Sequence, residues 1–81
     1  MGHVLNNRIH YKDTDITLDL LMKIEHVVRV IAERERKDFD SAYRMFAAST
    51  TYVALMNPAS VLWAESAEFI ADEYGRESER H

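Results

Sequence analysis

The chain has no cysteine, only one proline and only two glycines among its 81 residues. Without cysteine it can form no disulfide and offers no thiolate ligand to zinc. Because Gly2 and Gly75 stand alone, the sequence has neither a glycine-rich phosphate loop nor a dinucleotide-binding fingerprint. A hydrophobic content of 47% with so few turn-forming residues is typical of a globular chain rather than a disordered one.

The sequence is also short of positive charge and of long apolar runs. Its net charge is −4, which is not the balance of a protein built to collect phosphates. The apolar middle is interrupted at Pro58 before it reaches the roughly 20 residues that span a membrane. The first residues lack the apolar region of a signal peptide. We therefore expect a soluble, cytoplasmic protein.

The length predicts one small domain with a limited core. A chain of this size buries only about 60% of the surface that its unfolded form exposes. Small scaffolds compensate with disulfides, metals or oligomerisation, and the first is absent here. The composition therefore favours self-association as the additional source of stability.

The first clear element is an amphipathic helix of about 20 residues that starts near Asp15 or Thr17. Apolar residues recur along it with the spacing of one helical face: Leu20, Leu21, Ile24, Val27, Val28 and Ile31. Acid–base pairs four residues apart line the outer face: Asp19–Lys23, Glu25–Arg29 and Glu33–Lys37. A narrower apolar stripe, either solvated or covered by an arm or a partner helix, also projects outward: Met22, His26 and Val30.

The middle of the chain, from Ser41 to Ala64, carries a single charge, Arg44, although 30% of the whole chain is charged. Asp38 or Asp40 is predicted to cap a second helix there, and the hydroxyl-rich residues 49–51 are predicted to break it. A further short helical segment should stop before Pro58. Four apolar residues of this middle are expected in the core: Phe46, Val53, Leu55 and Leu62.

Ser66 is predicted to cap a last helix whose apolar face is Phe69, Ile70 and Tyr74, and Gly75 is expected to end or fray it. Residues 1–14 show no helical period and form an arm, either mobile or docked on its own or a neighbouring subunit. The predicted fold is all-α: a small bundle of three to four helices at residues 15–81, with an extended N-terminal arm at residues 1–14.

No residue pattern indicates catalysis or a cofactor. The four histidines, His3, His10, His26 and His81, fall in no metal-binding motif. Glu68 and Asp72 share a helical face, but they alternate with Phe69 and Ile70 as ordinary surface residues do. We expect neither an enzyme nor a bound metal or cofactor.

Partner binding fits the composition best, because protein interfaces enrich aromatic residues, methionine and arginine and exclude charge from their centres. Four residues of the uncharged middle fit a core and an interface equally: Met45, Tyr52, Met56 and Trp63. Met22 and Val30 form a second, weaker patch. The hypothesis is a non-enzymatic interaction module, either a homodimer or the partner of a second gene product.

The alternative is a small helical DNA-binding regulator. Its basic residues cluster around the end of the first helix: Arg29, Arg34, Arg36, Lys37 and Arg44. Glu33, Glu35 and Asp38 are interleaved with them and cancel much of the positive field. A recognition helix would present polar and basic side chains, whereas the later helices are apolar or acidic.

The order of packing residues resembles an uncharacterised family of small bacterial helical proteins, with a pattern A-Y-x-x-F, Y-x-x-L, L-H and E-Y-I. The matching residues are Ala42 to Phe46, Tyr52 and Leu55, Leu62-Trp63, and Glu68-Phe69-Ile70 through Tyr74. Trp63 stands where the family often has histidine. The resemblance covers roughly Ile24 to Glu73 and implies an accessory or antitoxin-like protein, because such proteins are often encoded near toxin-like genes. It carries over no catalytic residue.

Overall fold

The computed structural model describes residues 8–80, which are mainly α-helical, as predicted. Within this range the chain forms strands β1 (His10–Tyr11) and β2 (Thr14–Asp15), then helices α1 (Thr17–Glu35), α2 (Phe39–Ala47) and α3 (Thr50–Met56). Two 3₁₀ turns (Pro58–Ser60 and Leu62–Ala64) lead to helix α4 (Ala67–Glu79). Residues 1–7 of the predicted arm, with His3, and also His81, lie outside the described residues.

Residues 8–15 form a small hairpin on the helical part of the molecule. His10 pairs with Asp15 and Tyr11 with Thr14 in an antiparallel ladder. The two turn residues, Lys12 and Asp13, both have positive φ, as the tight two-residue hairpin turn requires. Ile9 packs against the core, and its carbonyl accepts the Ile16 N–H at 2.8 Å.

Helix α1 lies at the centre of the fold and packs against both α2 and α4. It begins where the Asp15 carboxylate accepts the Thr17 N–H at 2.9 Å, and it ends at Arg36 in the left-handed conformation. The predicted core face is buried with one exception: Leu20, Ile24, Val27, Val28 and Ile31 are covered. Leu21 is 54% exposed, so its assignment to the core was wrong. At 100° per residue it projects beside that face rather than into it.

Side-chain caps separate the next two helices. Asp38, and not Asp40, caps α2 by accepting the Ser41 N–H at 3.2 Å. Ser49 caps α3 by accepting the Tyr52 N–H at 3.1 Å, at the predicted break. Phe46 of α2 is fully buried and meets the rings of Tyr52 and Tyr74 edge-on, with ring centroids 5.6 Å apart in both pairs.

Helix α4 begins at the predicted cap, Ser66, and continues past Gly75 to Glu79, so Gly75, which was expected to end or fray the helix, does not end it. An Arg76–Glu73 ion pair supports the last turns. Four residues of α4 are buried in the core: Ala67, Ile70, Ala71 and Tyr74. Phe69, predicted to face inward, is 40% exposed because it lies 100° from Ile70 on the helix. No helix within residues 8–80 is long and apolar enough to cross a membrane.

The two 3₁₀ turns meet at Val61, whose φ of 49° is left-handed. This conformation costs an L-residue about 1–2 kcal/mol, and glycine adopts it without strain. We therefore expect Val61→Gly to raise the free energy of unfolding by about 1 kcal/mol, which raises Tm by about 4–8 °C in a domain of this size. Thermal unfolding followed by circular dichroism measures this shift.

The matched control is Val53→Gly, because Val53 is also exposed but lies within helix α3. Glycine in a helix interior lowers stability by about 1 kcal/mol, so the two substitutions should move Tm in opposite directions. A fall in Tm for both variants would show that Val61 is not strained.

Candidate protein-interaction surface

Three helices leave an open groove of about 290 Å³ that is lined almost entirely by apolar side chains. We call it the apolar groove. Its lining residues are Leu21, Ile24, Glu25, Phe39, Tyr43, Tyr52 and Met56. Glu25 is the one charged residue among them, and it forms an ion pair with Arg29 at 2.6 Å.

Helical spacing explains why these side chains meet. Phe39 and Tyr43 lie four residues apart on α2, and Tyr52 and Met56 lie four residues apart on α3, so each pair shares a helical flank. The residues next to them in sequence, such as Ala42 and Leu55, fill the core. Large apolar side chains are therefore left beside the core, where no described element covers them.

An exposed apolar ridge runs along α1 beside this groove. It consists of Leu18, Leu21 and Met22, which are 65%, 54% and 60% exposed. We call it the α1 ridge. Val53, expected in the core, is 67% exposed on α3, because it points away from the buried Thr51 and Leu55.

A second groove, of about 600 Å³, lies on the other side of the ridge. Its lining is mixed in character: Asp19, Met22, Lys23, Glu25, His26, Arg29, Trp63 and Ala64. We call it the Trp63 groove. Trp63 is held there by two contacts, since its indole N–H donates to the Pro58 carbonyl at 3.1 Å and its ring meets Tyr11 at 5.5 Å. Glu25 lines both grooves, so they form one continuous surface.

The structure brings four of the six predicted partner-binding residues to this surface. Tyr52 and Met56 lie in the apolar groove, and Met22 and Trp63 lie in the Trp63 groove. Two residues lie elsewhere. Met45 is exposed with its sulfur 2.7 Å from the Lys37 ammonium, and Val30 is half-buried against the core.

Sequence reasoning missed four residues of the surface: Leu18, Leu21, Phe39 and Tyr43. The spacing of Phe39 and Tyr43, four apart and out of phase with the buried Ala42 and Phe46, was the available signal. Burial and the neighbouring Tyr43 raise the pKa of the Tyr52 phenol above its ordinary value. At neutral pH the Tyr52 phenol therefore remains a protonated hydrogen-bond donor.

The position of α3, and with it Tyr52 and Met56, depends on a carboxylate from α4. Glu77 accepts the N–H groups of Thr50 and Thr51 at 2.9 Å each and the Thr51 hydroxyl at 2.7 Å. Partial burial opposes ionisation, but these hydrogen bonds outweigh it and lower the pKa of Glu77 from 4.5 to about 2. Glu77 thus supplements Ser49 at the start of α3.

The candidate DNA-binding cations are largely neutralised. Arg29 pairs with Glu25 at 2.6 Å, Arg34 with Asp72 at 2.7 Å and Lys37 with Glu35 at 3.1 Å. The other two, Arg36 and Arg44, are exposed and have no carboxylate partner among residues 8–80. Little net positive charge is therefore left to face a phosphate backbone.

The chain matches no protein-family model, no curated protein and no solved structure. The character of its candidate surface is therefore argued from its own side chains. In the apolar groove all but one of those side chains are aromatic, methionine or aliphatic, residue types that protein interfaces enrich or tolerate, whereas the Trp63 groove is mixed in character.

Proposed function

We propose that this protein is a non-enzymatic interaction module that binds a second protein chain through the apolar groove and the α1 ridge. The observation that carries the proposal is the exposure of large apolar side chains from α1 and α2 around one groove, which half-buried apolar residues of α3 complete. Contiguous exposed apolar surface of this kind marks interaction sites, whereas single exposed apolar residues do not. The bound chain is either a second copy of this protein or another gene product.

The shape of the groove suggests how a partner engages it. A groove between helices accepts the apolar face of an amphipathic helix, whose anchors recur every three to four residues. Tyr43 and Tyr52 are suited to act as anchors on this side, since buried tyrosines dominate many interfaces. Glu25 and its partner Arg29 form an exposed ion pair beside the groove, where charges set orientation more than affinity.

The proposal includes a cytoplasmic accessory role. The resemblance to small bacterial helical proteins encoded near toxin-like genes supports an antitoxin-like partner protein. In this interpretation the helices form a small bundle with an N-terminal arm, and the bound partner completes the side of the bundle that α2 and α3 leave open.

The alternative, a small helical DNA-binding regulator, has less support because three of its five cations already pair with carboxylates. It predicts a mobility shift with duplex DNA that weakens steeply as salt increases. The absence of a shift at low salt would remove this alternative.

A photo-crosslinking amino acid at Tyr43 tests the proposed function. In cells of the native host, Tyr43 in the apolar groove should yield one discrete crosslinked species after illumination. Phe69 is the matched control, because it is an exposed aromatic residue, 40% against 42%, on the separate helix α4. Mass spectrometry of the species then shows whether the captured chain is a second copy or another protein.

The expected result is a band from the Tyr43 position and none from the Phe69 position. Equal labelling at both positions would indicate random collision, and no labelling at either would contradict an interface at the apolar groove. Circular dichroism checks that both variants retain the helical content of the unmodified protein.

A further inference from the structure

We infer that the partner at this surface is a second copy of the chain, bound so that the two α1 ridges pack antiparallel about a two-fold axis near Met22. The inference rests on the proposed function and names its partner. In this arrangement the apolar groove of each copy is closed by the other copy. Three observations support it: the shape of the surface, its area and the order of its polar residues.

The surface has both parts that a self-complementary interface requires. In a two-fold dimer the same patch appears on both sides, so it must supply the projection and the depression that receives it. The α1 ridge is the projection, and the apolar groove and the Trp63 groove flank it as depressions. Helices pack in this way, with the side-chain ridge of one entering the groove of the other.

The exposed apolar area matches what a stable dimer needs. Five large apolar residues of the ridge and the apolar groove are between 40% and 65% exposed: Leu18, Leu21, Met22, Phe39 and Tyr43. With on the order of 150 Å² for each fully exposed side chain, they offer on the order of 400 Å². A standard interface uses about 800 Å² per partner, a little over half of it apolar.

The polar residues beside the α1 ridge fit the antiparallel orientation. Asp19 lies one turn before Met22, and His26 lies one turn after it, on the same side of the ridge. An antiparallel pair centred on Met22 places Asp19 of each copy beside His26 of the other copy, twice over. There the imidazole N–H of His26 can donate to the Asp19 carboxylate.

Because the chain contains no cysteine, Met22→Cys gives a clean test. A residue on a two-fold axis meets its own copy, and a disulfide requires the two Cα atoms to lie about 4.4–6.8 Å apart. Under mild oxidation at micromolar concentration, M22C should form disulfide-linked dimer on the order of a hundredfold faster than F69C, because association raises the effective thiol concentration to the millimolar range. Non-reducing electrophoresis over time measures both rates.

A second variant tests the interface without oxidation. Met22→Lys places two positive charges on the axis, so light scattering should show a dimer for the wild type and half that mass for M22K. Met22 is exposed, so the helical content of M22K should be unchanged. A wild-type monomer at micromolar concentration, or equal oxidation rates for M22C and F69C, would overturn the inference.

The outcomes separate the inference from the proposed function. If M22C fails to dimerise while the crosslinker at Tyr43 captures a different protein, self-pairing is wrong and the interaction function stands. If neither experiment gives a product, both are wrong.

Discussion

Phe46→Ala is expected to lower the free energy of unfolding by about 3–5 kcal/mol, the usual cost of truncating a buried aromatic side chain. Phe46 is completely buried, and its ring joins Tyr52 of α3 to Tyr74 of α4. The substitution therefore removes the side chain that links three helices. Small domains are stable by only about 5–15 kcal/mol, so the variant should be partly or wholly unfolded at 37 °C.

Chemical denaturation followed by circular dichroism measures this effect. The control is Phe69→Ala, which makes the same chemical change at a residue that is 40% exposed on α4. The free energy of unfolding of the control should fall by less than about 1 kcal/mol, because truncating a partly exposed side chain leaves little cavity. Similar losses in the two variants would mean that Phe46 does not organise the core.

Glu77→Gln is expected to lower the free energy of unfolding by about 1–2 kcal/mol at pH 7, the range seen for losing a helix cap or a charge-assisted hydrogen bond. Glutamine keeps the shape and one acceptor oxygen, but it loses the charge and the second acceptor. Glu77 uses both oxygens to hold Thr50 and Thr51. The Tm at pH 7 should fall accordingly.

The same variant should change the pH dependence of stability. The pKa of Glu77 is lower in the folded chain, about 2, than its ordinary value of 4.5. Its contribution is therefore complete above about pH 4.5 and is lost as the pH falls toward 2. E77Q should lose less stability than the wild type between pH 5 and about 2. The pKa of Asp15 is also lowered to about 2, by hydrogen bonds from Thr17 and then by Arg8. Because Asp15 is present in both proteins, part of the dependence of stability on pH remains in E77Q.

Glu73→Gln is the matched control for E77Q. Glu73 lies one turn earlier on α4 and forms only a surface ion pair with Arg76. Exposed pairs contribute about 0–1 kcal/mol, so E73Q should follow the wild-type pH profile. Parallel profiles for E77Q and the wild type would show that the carboxylate does not stabilise α3.

The sequence was sufficient to predict features that depend on one helix alone, such as its position, its buried face and its cap. The spacing from Leu20 to Ile31 gave helix α1 and its buried face, and short polar side chains gave the caps at Asp38 and Ser66. Boundaries that depend on distant contacts were not predictable. Gly75 remains helical because Glu77, two residues later on α4, accepts a hydrogen bond from Thr51 of α3 and so anchors this end of the helix.

The candidate surface was only partly predictable for a geometric reason. A residue 100° from a core position can be covered by a neighbouring helix or left open, and the sequence of one helix does not decide between these outcomes. Leu21 was therefore assigned to the core and is exposed, whereas Val30 was assigned to a surface patch and is half-buried. Whether Leu21 and Val30 are covered depends on how the neighbouring helices pack against α1.

The contact between Glu77 and α3 also has a consequence for synthesis on the ribosome. Helix α3 has seven residues, fewer than the roughly 12–15 that an isolated helix needs in water. The chain emerges from its N-terminus, so Tyr52 and Met56 are translated well before the carboxylate that caps their helix. We expect nascent chains that end before residue 77 to expose an incomplete apolar groove, so that the groove is complete only once nearly all of α4 has left the ribosome.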